Sequence, residues 1–150
     1  MILIIILAIA SGMALSTQAA INGQLGEKIG IVKTALITFG IATVITALLI
    51  LFFEPVYESN LFTVPKWQLT GAFFGILYLI AMVASVPRIG IAVATVSTIF
   101  GQMIMSMIID TQGLLGNVAI ELNPWRMAAM LCVALALIFI YKANQTEIGK

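Results

Sequence analysis

The chain has no histidine, one cysteine (Cys132), and only seven basic and six acidic residues in 150. Each scarcity removes a class of function. Without histidine there is no imidazole metal ligand and no Ser/His or Cys/His catalytic pair. One cysteine cannot form a disulfide framework. A formal net charge of +1 offers no basic patch for nucleic acid. The acids Glu27, Glu54, Glu58, Asp110, Glu121 and Glu147 are scattered through loops and ends, so no paired carboxylates stand ready for acid–base work. No cofactor and no metal site are expected, and an enzyme is not.

What remains is apolar. Hydrophobic residues make up 62% of the chain and mean hydropathy is +1.17. A soluble domain of this size needs far more charge to cover its surface. The composition therefore indicates an integral membrane protein, all-α, because backbone in lipid must satisfy its own hydrogen bonds.

Five apolar runs are long enough to cross a bilayer, at about 1–21, 34–53, 67–86, 90–110 and 125–142. They account for nearly all of residues 1–150, as one five-helix transmembrane domain. The first run lacks a positively charged start and reads as a span rather than a cleaved signal peptide. Asn22-Gly23 opens an expected first loop to Lys33, with Asn22 as a cap or a site residue. Glu54–Lys66 is an expected second loop. Val86-Pro87-Arg88-Ile89-Gly90 reads as a tight turn, Pro87 ending one helix and Gly90 admitting the next. Asp110–Pro124 is the last loop, with Asp110 and Gly113 at the ends of a turn.

Two of the runs carry polar stripes. Thr95, Thr98, Gln102, Ser106 and Asp110 fall within roughly 120° of arc at about 100° per residue. Ser11, Gln18 and Asn22 share one face of the first run. In the third, Gly71, Gly75, Tyr78, Met82 and Ser85 share a face. Amides inside a membrane cost free energy unless satisfied, so Gln18 and Gln102 are the strongest signals. They have two readings: lining a polar pocket, or interhelical hydrogen bonds that only hold the bundle together. The pocket reading names Ser11, Gln18, Asn22, Tyr78, Thr98 and Gln102 as substrate-binding residues. Asp110, the one carboxylate continuous with a stripe, is the single candidate for ion coupling. The threonines of the second run, Thr34, Thr38, Thr43 and Thr46, point several ways and are read as back-bonded to their own turns.

The fifth run carries small residues at Ala128, Cys132 and Ala136, a seam suited to close helix contact at a dimer interface. Lys28, Lys33, Arg88, Lys142 and Lys150 fall on one side of the five-span arrangement, Lys66 and Arg126 on the other. The bias favours an inside C-terminus, but it is shallow enough that dual insertion stays open.

These residues bring a resemblance into view. Gly12, Gln18, Asn22, Leu25 and Gly26, then Trp67 and Gly71, then Pro87-Arg88-x-Gly90, Gly101-Gln102 and Asp110-x-x-Gly113-x-x-Gly116 occur in the order seen in the YdcZ family. That family belongs to the drug/metabolite transporter superfamily, which also holds the small multidrug resistance proteins. Two positions depart from the pattern: Ala72 stands for a second glycine, and Thr111-Gln112 for a histidine–aromatic pair. The resemblance implies a compact five-helix unit that pairs with a second, inverted copy, either itself or a related subunit, around a site near the midplane.

The expected function is a small-solute transporter of the bacterial inner membrane, working by alternating access as an antiparallel dimer. Its expected partners are membrane lipids and a small-molecule substrate. The alternative is a structural or accessory membrane protein whose amides serve packing alone.

Overall fold

A computed structural model describes residues 1–55 and 62–148, with side chains to residue 146. Glu58 in the expected second loop, the side chain of Glu147, and Lys150 lie outside the described residues. The described residues form helices joined by turns and irregular segments, with no strands among them. The helices are α1 (Ile2–Ile29), α2 (Ile31–Phe53), α3 (Gly71–Gln112) and α4 (Pro124–Ile148), with short 3-10 turns at Lys66–Thr70 and Leu114–Gly116. Among the described residues, four helices are long and apolar enough to cross a membrane.

The chain divides into two compact units, Met1–Arg88 and Ile89–Lys150. In the first, α1 and α2 form a helical hairpin with the N-terminal part of α3 packed against it. Its core is Ala35, Leu79 and Val83, flanked by Ile31, Phe39 and Ile80. Most other large apolar side chains of α1 and α2 are exposed. Lipid tails are as apolar as those side chains, so nothing drives them inward, and close packing is left to small residues.

Gly23 and Gly26 supply that packing. A Cβ on Gly23 would lie 2.7 Å from Val86 Cγ1, and one on Gly26 would overlap Val83 Cγ1. The backbone of α1 thus seats directly on α3.

Asn22-Gly23 is not a turn: α1 continues to Ile29. Gly23 serves close approach rather than chain reversal, and a helix in lipid keeps its backbone bonds wherever it can. The reversal is confined to one residue, Gly30, at φ 93°, ψ 152°. Only glycine adopts that conformation readily. Gly30 N–H donates to Gly26 O at 2.9 Å, while Gly30 O accepts from Thr34 N–H at 3.1 Å and the Thr34 hydroxyl at 3.0 Å.

The expected turn at residues 86–90 is also tighter than expected. Pro87 stays inside α3, and the backbone leaves helical geometry only at Gly90, at φ 77°, ψ 158°. Here Asn144 Nδ2 donates to Ile89 O at 3.0 Å, so a side chain of α4 satisfies a carbonyl at the break. Asp110 does not open a turn either. α3 runs on to Gln112 and is closed by Gly113 in the left-handed conformation. Ile120 N–H returns to Asp110 O at 2.8 Å, folding the following segment back on the helix end.

Candidate functional site

In the first unit, the hairpin about Gly30 brings Asn22 and Thr38 together. They are sixteen residues apart with Gly30 midway, and Thr38 Oγ1 donates to Asn22 Oδ1 at 3.0 Å. Asn22 is 5% exposed, and its Nδ2 is enclosed without a partner. Turning the amide over only exchanges which end is satisfied. One polar end of a buried side chain therefore stays open, which native interiors rarely tolerate without a use for it.

The other candidates on α1 stand apart from this pair. Ser11 is exposed, and its hydroxyl donates to Leu7 O at 2.9 Å within its own turn. Gln18 is exposed and hydrogen-bonds to none of the described residues. Tyr78 is half-buried. Of the threonines of α2, Thr34, Thr43 and Thr46 back-bond as expected, but Thr38 does not.

In the second unit, the Thr95–Asp110 stripe lies along α3. Thr98 is half-buried and donates to Ala94 O at 3.0 Å. Thr95 Oγ1 is enclosed and unpartnered. Gln102 is exposed and, like Gln18, bonds to none of the described residues. The stripe ends in an ion pair that sequence reasoning did not find: Arg126 Nη2 donates to Asp110 Oδ2 at 2.6 Å. Arg126 Nη1 is enclosed with no partner. Ala128 and Cys132 are exposed along α4 and Ala136 is half-buried.

Each unit also holds a cavity away from these residues. A cleft of about 280 Å³ at the Gly30 end of the first unit is lined by Gly26, Glu27, Val83, Pro87 and Arg88 among others. An apolar groove of about 450 Å³ in the second unit is lined by Phe100, Ile104, Met107, Ile108, Met127 and Met130, with Thr111 and Leu122. None of the six substrate-binding candidates lines either. Within each unit the structure brings together Asn22 with Thr38 and Asp110 with Arg126, and leaves Gln18 and Gln102 facing outward.

Among the described residues no three His, Cys, Asp or Glu side chains cluster as a metal site. The units offer, among the described residues, neutral hydrogen-bonding groups in an apolar surround, plus one ion pair at a helix end.

Comparison with known proteins agrees with that character. Residues 3–139 match the family model described as "Putative inner membrane exporter, YdcZ". No curated protein and no solved structure matches the chain. With nearly the full length matched and several helices apolar enough to span, the protein is a multi-pass protein of the inner membrane. The chain belongs to the YdcZ family of inner-membrane exporters.

Proposed function

We propose that the protein exports a small polar solute by alternating access, as an antiparallel dimer of two five-crossing copies or with a related subunit as partner. The observation that carries this reading is the pair of exposed amides, Gln18 and Gln102. Both sit in helices of spanning length, and neither bonds to the described residues of its own chain. An amide left against lipid is costly, so these groups call for a second copy or a water-filled passage.

Helix length supports five crossings. At about 1.5 Å per residue, a straight 42-residue α3 would reach about 63 Å, twice the hydrocarbon thickness of about 30 Å. The break at Gly90 divides it into two pieces, each of spanning length. An odd number of crossings with a shallow charge bias suits insertion in both orientations, and inverted pairs bind solute where the repeats meet.

In this reading Ser11, Gln18, Asn22, Tyr78, Thr98 and Gln102 meet the solute, and the open Asn22 amide supplies a hydrogen bond awaiting a partner. Ala128, Cys132 and Ala136 form the dimer seam. With its carboxylate already held by Arg126, Asp110 is left out of the solute set. Neutral groups of this kind fit an uncharged or zwitterionic metabolite.

The test compares culture media of cells expressing wild type, Gln18→Leu or Gln102→Leu at equal membrane levels. A metabolite that accumulates outside wild-type cells, and not outside the variants, supports the reading. Identical media for all three would sink it and favour amides that serve packing alone.

A further inference from the structure

The geometry points to a binding site in the second unit for a membrane phospholipid whose headgroup carries both a phosphate and a primary ammonium. The site has an apolar part and a charged part. The apolar part is the groove of about 450 Å³ between Phe100, Ile104, Met107, Ile108, Met127 and Met130. Methionine side chains adapt to irregular, mobile ligands, and an acyl chain is one.

The charged part is the Asp110–Arg126 pair. Both residues adjoin groove-lining neighbours, Thr111 and Met127. The pair is half-complete on each side. Asp110 Oδ2 takes Arg126 Nη2, but Oδ1 accepts nothing from the described residues. Arg126 Nη1 is enclosed and unpartnered, on a side chain that as a whole is 38% exposed. One cationic donor and one anionic acceptor of the same ion pair therefore lack partners.

A ligand that completes both must carry one negative and one positive group a short distance apart. An anionic phospholipid would satisfy Arg126 but bring its charge against the Asp110 carboxylate. A phosphate joined to a primary ammonium satisfies both with charge-assisted hydrogen bonds. A trimethylated ammonium cannot donate to Oδ1 at all.

The location fits as well. Trp125, exposed beside Arg126 at the start of α4, belongs to the residue type enriched at the headgroup level. The segment between α3 and α4 exposes Leu114, Leu115, Val118, Ile120 and Leu122, an apolar edge suited to the same depth.

The experiment is native mass spectrometry of the purified, delipidated protein with phospholipids of identical acyl chains. The probes are phosphatidylethanolamine, its mono- and dimethyl derivatives, phosphatidylcholine and phosphatidylglycerol. Losing a charge-assisted hydrogen bond corresponds to about a tenfold loss of affinity or more. Wild type should retain phosphatidylethanolamine about tenfold better than phosphatidylcholine, with binding falling as methyl groups are added. Asp110→Asn should bring the two lipids to near equality, and Arg126→Gln should weaken every phospholipid. Soluble glycerophosphoethanolamine, which has the headgroup but no acyl chains, should not displace the lipid.

The methylation series needs no variant, so a misfolded mutant cannot obscure the answer. Equal retention of phosphatidylethanolamine and phosphatidylcholine by wild type would overturn the site. So would displacement by the soluble headgroup, or wild type that holds no lipid because a second copy fills the groove.

Discussion

Adding one methyl group to Gly26 tests how α1 is seated. The added Cβ would fall inside contact distance of Val83 Cγ1. Val83 is 1% exposed and β-branched, so it has neither room nor rotamers with which to withdraw. Overpacking of this kind costs about 1–3 kcal/mol, against an intrinsic helical gain of about 1 kcal/mol for alanine over glycine. Gly26→Ala should therefore destabilise by up to about 2 kcal/mol. Val83→Ala alone should also destabilise, by about 1–2 kcal/mol, through the gap it leaves. Combined, the small residue makes room for the added methyl. The double variant should be more stable than the sum of its parts by about 1–2 kcal/mol. Gly12→Ala and Gly40→Ala are the controls, since nothing lies within 4 Å of a Cβ at either position. Both should be neutral or slightly stabilising in a single copy. The assay is reversible unfolding in mixed detergent micelles, followed by tryptophan fluorescence. Additive behaviour of Gly26→Ala and Val83→Ala would refute the packing described here.

Two further substitutions probe the joints. Thr38→Val keeps the side-chain shape but removes the hydrogen bond to Asn22, and should destabilise by about 1 kcal/mol, within the range of up to about 1.7 kcal/mol measured for bonds between membrane helices. In an Asn22→Ala background the same change should have almost no effect, and a full effect there would place its origin elsewhere. Gly90→Ala forces a side chain into a positive-φ conformation and should lower stability by about 1–3 kcal/mol, read by the same unfolding assay. A melting curve unchanged from wild type would mean that the break at Gly90 is not held as described.

The helices were legible because their apolar runs are long and uninterrupted, and no soluble fold tolerates so much of them. The joints were not. Asn22-Gly23 carries a common turn signal, yet its glycine meets Val86 inside a packed helix, and the reversal falls at Gly30. Local sequence reads the residue, whereas the neighbour that explains it is more than sixty positions away. Once Gly30 is known to be the pivot, symmetry about it places Asn22 opposite Thr38 and Gly26 opposite Thr34. A threonine read as back-bonding thereby becomes the partner of the buried amide. Pro87 misled in a similar way. Its ring removes a donor, but helical φ suits it, and the chain breaks three residues later where a glycine can take the strain. Asp110 was noticed as the only carboxylate continuous with a stripe, but its spacing to Gly113 also suits a turn. Arg126, the cation near the start of the next helix, was the available clue to its partner.

If the outward-facing amides bind a solute, Gln102 is a side chain whose loss should abolish that binding. Purified wild type and Gln102→Leu would be melted against a panel of small uncharged and zwitterionic metabolites, each added at millimolar concentration. A solute that binds only the folded protein raises its stability by about 2.7 kcal/mol at a hundredfold excess over Kd. At least one metabolite should stabilise wild type and leave Gln102→Leu unmoved. A panel that stabilises neither, or a metabolite that stabilises both alike, would contradict solute binding by these amides.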